Sequence, residues 1–308
     1  MAAYGGHLDV LIWLHDSGCP WDAQTCSKAS ANGHLNLLMW ARKNGCPWDH
    51  GTCHDAAKNG HLDCLQFAHE NGCAWMESTC QSAAEKGHLD CLKYAHQNGC
   101  PWDGSACTVA ARNGHLECLK YAHENDCPWG IYACIGAARR GHLAVLKYAH
   151  EQGCPWNESV CSAAAEEGHL NCLKYAHENG CPWDGRTCSS AAKGGHLKEL
   201  QYAHEHGCPW DDLTCLMALS KVNFECLKFA HENGCPLDPV LFVCSAERGD
   251  LKTLQWLFAN GCPWDGVVAE VVRNVSEQYG HDEILEWCDG DDNDNEGSTL
   301  TADLQEID

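Results

Sequence analysis

Cysteine and histidine are the residues of this chain that could do chemistry, 25 of one and 20 of the other among 308. The cysteines recur in three registers. One holds Cys53, Cys80, Cys107, Cys134, Cys161, Cys188 and Cys215, a second holds Cys64, Cys91, Cys118, Cys172 and Cys226, and the third is the Cys of Cys-Pro-Trp. Thiolate and imidazole together suggest zinc, but the spacing argues against it. Cys91 and His96 lie five apart on a helical stretch and so point about 140° away from each other. Equivalent cysteines of neighbouring repeats are separated by a helix-packing distance of roughly 8 to 10 Å, too far for one ion. Cys-x-x-Cys does not occur. Small packing thiols are the expectation, with no metal and no cofactor. A thiol-rich metal or redox buffer is the alternative.

A histidine ladder runs through His69, His96, His123, His150, His177, His204 and His231. Its place at the far end of a helix predicts partly exposed, hydrogen-bonding side chains; collective titration near pH about 6.5 is the sharper alternative. An enzyme would need a unique constellation that breaks the repeat. No Gly-rich phosphate loop, nucleophile motif or metal-ligand spacing does so, and a non-catalytic protein is expected.

All these residues sit on one period. Gly-His recurs with its His at His7, His34, His61, His88, His115, His142, His169 and His196, always 27 residues apart. A period of this size signals a stacked array, because one such repeat cannot bury its apolar face alone. Gly87 and Gly99 suit the left-handed position that ends a helix, which predicts two short helices, 80–86 and 89–98. In the second, Leu89, Cys91, Leu92 and Ala95 form the apolar stripe. Asp22, Asp49, Asp103, Asp184 and Asp211 each precede a helix at capping distance. The fold class is therefore all-α, a solenoid of stacked helix-turn-helix repeats over 1–288. The last stretch, 289–308, carries eight acids and no base, and is expected to be a disordered acidic tail.

Twenty Lys and Arg against 43 acids give a net charge of -23. That balance disfavours a nucleic-acid partner and favours a protein with a basic or mixed surface. No window approaches 18 consecutive apolar residues, so no membrane partner is expected. The odd cysteine count, and cysteines at packing positions, point to a reducing interior: an intracellular, cytoplasmic monomer. Ala2–His7 match the middle of a repeat rather than its start.

The run Ala56-Ala57-Lys58-Asn59-Gly60-His61-Leu62-Asp63-Cys64-Leu65, with Asn71-Gly72 after it, resembles the ankyrin repeat. The resemblance covers nearly the whole chain, in about eleven repeats with degenerate ones at the ends. Ankyrin repeats have 33 residues and these have 27. The missing six fall between the Asp after Cys-Pro-Trp and the next Thr-Cys, where the family builds its projecting hairpin. The resemblance thus implies an ankyrin variant without the β-hairpin, acting as a protein-binding scaffold.

Trp21, Trp48, Trp75, Trp102, Trp129, Trp156, Trp183, Trp210 and Trp264 stand where the family carries a smaller packing residue, and are expected to be buried between repeats. One stretch departs from its copies. Ile131, Tyr132 and Ile135 replace the small or polar residues of other repeats, with Val109, Arg112, Arg139 and Arg140 nearby in register. Apolar and aromatic residues ringed by Arg have the composition of an interface core, and these seven are the expected protein-contact patch.

Overall fold

The computed structural model describes residues 1–76, 78–220 and 223–291. It contains 22 helices and, among the described residues, no strand. They fall into two compact groups, Met1–Trp183 and the part from Asp184 onward. Within each, a repeat is a first helix, a tight turn and a second helix, as in Thr79–Lys86 with Leu89–Gln97 and Gly104–Arg112 with Leu116–Glu124. The last helix, Asp282–Asp291, runs three residues beyond 288, and the remainder of the expected tail, 292–308, lies outside the described residues.

Local chemistry sets these boundaries. Asp22, Asp49, Asp103 and Asp184 each accept a hydrogen bond from the backbone N–H two residues on, satisfying a donor that the first turn leaves open. The first helix ends at Gly87, whose φ of 78° is left-handed, and His88 N–H donates back to Ala83 C=O at 2.9 Å. The second helix closes likewise: Asn98 caps it, Gly99 has φ 82°, and Cys100 N–H reaches Ala95 C=O at 2.9 Å.

First helices are lined by small residues and pack on first helices, as Cys80, Ala83, Ala84, Cys107, Ala110 and Ala111 are all fully buried. Second helices each contribute one large core side chain. Leu65, Leu92, Leu119, Leu146 and Leu173 have no exposed surface, and each contributes about 1.5–3 kcal/mol of burial. Helices of nine residues are marginal alone, so their order comes from this stacking.

The cysteines are packing groups, paired in a way that the periodicity conceals. First-helix thiols meet the thiol 20 residues on, at the link before the Trp: Cys53 Sγ lies 3.9 Å from Cys73 C=O and Cys107 Sγ 3.6 Å from Cys127 C=O. Hydrogen bonding to its partner thiol, then burial, pushes Cys53 and Cys107 up, so both stay protonated. The link thiol in turn donates to the capping residue of its own first helix, Cys73 to Asp49 C=O and Cys127 to Asp103 C=O, each at 3.1 Å. These bonds tie successive links together. In the second helix, burial alone pushes Cys172 up to about 11, and leads the causes that push Cys91 up to about 12. Among the described residues no group of three or more His, Cys, Asp or Glu is placed to hold a metal ion.

Candidate protein-contact face

Two histidine columns belong to the scaffold, and seeing what they bind leaves one face free. The Gly-His imidazole reaches backward, not across its own turn. His115 Nε2 donates to Glu85 C=O at 3.0 Å and His34 Nε2 to Tyr4 C=O at 3.1 Å, both at the end of the preceding first helix. A carbonyl only accepts, so Nε2 carries the proton. The ring lies on the preceding Gly so closely that a Cβ built on Gly87 would sit 2.5 Å from His115 Nδ1. Where the period offers Asn223 in place of His, its amide donates to Ala192 C=O at 3.1 Å.

Burial is the leading cause that holds His88 and His142 below the usual imidazole range; neighbouring rings of the same column, His115 among them, add repulsion. The folded protein therefore binds fewer protons here than the unfolded chain, so stability is full above about pH 6.5 and falls as pH drops below it. The thermal midpoint is expected to decline between pH 7.5 and 5.5. His142→Asn should flatten that decline, and an unchanged profile would contradict the assignment.

The other column is aromatic. His96 stacks on Trp102 with ring centroids 3.8 Å apart, and its Nδ1 shares a 3.1 Å hydrogen bond with Tyr121 of the next repeat. Tyr121 also meets Trp102 edge-on at 6.1 Å. His69 and His150 repeat this arrangement with Trp75 and Tyr94, and with Trp156 and Tyr175. The tryptophans are therefore half-buried between a His of their own repeat and a Tyr of the next, not fully buried as expected. Trp75 Nε1–H donates to Asn98 C=O at 3.0 Å, which satisfies its polar end.

What remains is the outward face of the first helices. Ile131–Arg139 places Tyr132, Ile135 and Arg139 at i, i+3 and i+7, on one stripe. Tyr132 is 70% exposed, Ile131 and Ile135 are half-buried beside it, and Arg139 and Arg140 are exposed at the helix end. Arg112, also exposed, stands one repeat earlier in Arg139's register. The two helices approach closely because residue 136 is Gly: a Cβ there would lie 3.1 Å from Arg112 Cβ and 3.3 Å from its Cα. Val109 occupies Gly136's register and is half-buried toward the preceding repeat. Arg139 Nη1 reaches Glu166 Oε2 at 3.5 Å, whereas Arg112 and Arg140 make no ion pair among the described residues.

First-helix surfaces in both groups carry features that sequence reading passed over. A shallow depression lined by Ser78, Gln81, Pro101, Trp102, Asp103 and Ser105 lies in Tyr132's register one to two repeats earlier. His54 bridges Ser78 at 3.3 Å and Ser82 at 3.5 Å across a repeat boundary, and burial lowers its pKa. Leu213, Val240 and Val267 take Tyr132's register in later repeats and are 50%, 40% and 70% exposed. Their spacing of 27 was available in the sequence as a signal.

Residues 80–123 match the family model for ankyrin repeats. No curated protein sequence matches the chain. Among solved structures, the crystal structure of the human ASB11 ankyrin repeat domain is similar at 18% identity and a TM-score of 0.46, over 51% of this chain and 84% of that one. The matched segment contains all the elements that the other copies reproduce at the 27-residue step. Over that segment the chain is similar to the ankyrin repeats, in a short form with no strand among its described residues. No helix among the described residues is long and apolar enough to cross a membrane.

Proposed function

We propose that this protein is a non-catalytic scaffold for protein–protein interaction, binding through the outward face of its first helices and centred on Ile131, Tyr132 and Ile135, with Val109, Arg112, Arg139 and Arg140 at the rim. The observation that carries the reading is Tyr132, a large aromatic left 70% exposed where the repeats on either side have Ser105 and Ser159. Ankyrin repeats are interaction modules, which agrees. A net charge of -23 draws partners with a basic or mixed surface and repels nucleic acid. An intracellular, cytoplasmic monomer with no membrane partner fits thiols used for packing. The alternative of a thiol-rich metal or redox buffer has less support, because nearly all the thiols are buried, and burial pushes the second-helix thiols such as Cys91 and Cys172 up.

The test is affinity capture with the wild-type chain beside Tyr132→Ser/Ile135→Ser. The double variant is expected to melt within a few degrees of wild type and to lose partner capture. Loss of folding would assign both side chains to the core, and undiminished capture would remove the face. Metal content and thiol titration of the purified wild type check the alternative, which predicts bound metal.

A further inference from the structure

The chain is strongly acidic, yet the helix that carries Tyr132 has no acidic residue, lacks the acidic cap of sibling first helices and ends in cations. In earlier repeats this position holds Asp22, Asp49 or Asp103, each making a cap bond, and in one of them Met76. At the contact helix it is Gly130, with no side-chain cap. In the next repeat it is Asn157, whose Oδ1 accepts from Ser159 N–H at 3.0 Å. Asn keeps the bond and discards the charge, so helix capping alone does not explain the change.

At the opposite end of the first helices, Lys58, Glu85, Arg112, Arg139 and Glu166 follow one another at 27-residue steps. Each neighbouring pair has opposite charges except Arg112 and Arg139. Arg140 adds a third cation at that point, and Arg112 and Arg140 are exposed, without ion pairs among the described residues. The helix Ile131–Arg139 thus carries no carboxylate, and three guanidinium groups gather toward its C-terminal end, one of them paired with Glu166, in a protein of net charge -23.

We infer that this face takes an acidic peptide segment that sets a large apolar side chain against Ile131, Tyr132 and Ile135 and its carboxylates against Arg112, Arg139 and Arg140. This rests on the protein-binding reading and specifies the partner's chemistry. Seven residues of helix separate Tyr132 from Arg139, so the apolar anchor and the carboxylates stand about 10 Å apart, three residues of extended chain. Arg forks bind carboxylates in a bidentate manner, which fixes the segment's direction.

Selection of random peptides of about a dozen residues against the full chain tests this. Enriched peptides are expected to pair Asp or Glu with Phe, Leu, Tyr or Trp and to carry net negative charge. Arg112→Glu/Arg140→Glu should weaken the enriched peptide about tenfold or more, and raised salt should weaken it for wild type. Gly130→Asp should weaken it more modestly while keeping the fold, since Asp is the capping residue of sibling repeats. Enrichment of basic or neutral peptides, indifference to the charge reversals, or no enrichment overturns the inference. The protein-binding reading stands or falls separately, on partner capture by the wild type against Tyr132→Ser/Ile135→Ser.

Discussion

Gly87→Ala is expected to destabilise the protein more than Gly99→Ala, although both replace a left-handed Gly with the same residue. Their φ values are 78° and 82°, so each substitution incurs the left-handed cost of about 1–2 kcal/mol. The gain from restricting the unfolded chain is common to both and cancels in the comparison. What differs is what the new methyl meets. At Gly99 nothing lies within 4 Å, whereas at Gly87 the His115 ring lies 2.5 Å away and must move off Glu85 C=O. Losing that bond adds about 0.5–1.5 kcal/mol. Urea unfolding of the two variants measures the difference directly. Equal losses would mean that the imidazole clamp between repeats contributes nothing.

Leu119→Ala should give the larger loss, about 2–5 kcal/mol, because Leu119 is fully buried and its repeat cannot collapse around the cavity without pulling on both neighbours. Leu116, at the start of the same helix, is half-buried and gives the comparison: Leu116→Ala removes the same atoms with less of the cost. In an array of this kind the cavity should also loosen the coupling between repeats, so that unfolding broadens or separates into stages. Calorimetry would detect that. Similar losses for Leu116→Ala and Leu119→Ala, with one sharp transition in both, would show that second-helix burial does not order the array.

Helix ends were readable from residue chemistry acting within a few positions. Gly87, Gly99 and Asp103 each do their work on their own or adjacent backbone, and the helices begin and end within a residue of where they were expected. Bonds between repeats were not readable. His96 meets Tyr121, 25 residues on, and Cys53 meets Cys73, 20 on. These offsets differ from 27 because the partners come from different columns, and a period shows columns one at a time. The same limit hid the direction of Gly-His, which clamps the preceding helix, and the half-burial of Trp102 against His96. The proposed contact patch stood out in the sequence for the opposite reason. Ile131, Tyr132 and Ile135 break the repeat, and residues that break a repeat owe nothing to its packing. What the spacing could not show was the close approach at Gly136 that brings Arg112 beside them.

Hydrogen–deuterium exchange of the full chain, alone and saturated with a captured protein partner, tests the central claim most directly. Binding is expected to slow exchange across Gly104–Arg112 and Ile131–Arg139 and to leave Leu89–Gln97 and Leu116–Glu124 unchanged. Protection confined to the second helices would place the function on the His–Trp–Tyr side and contradict the account.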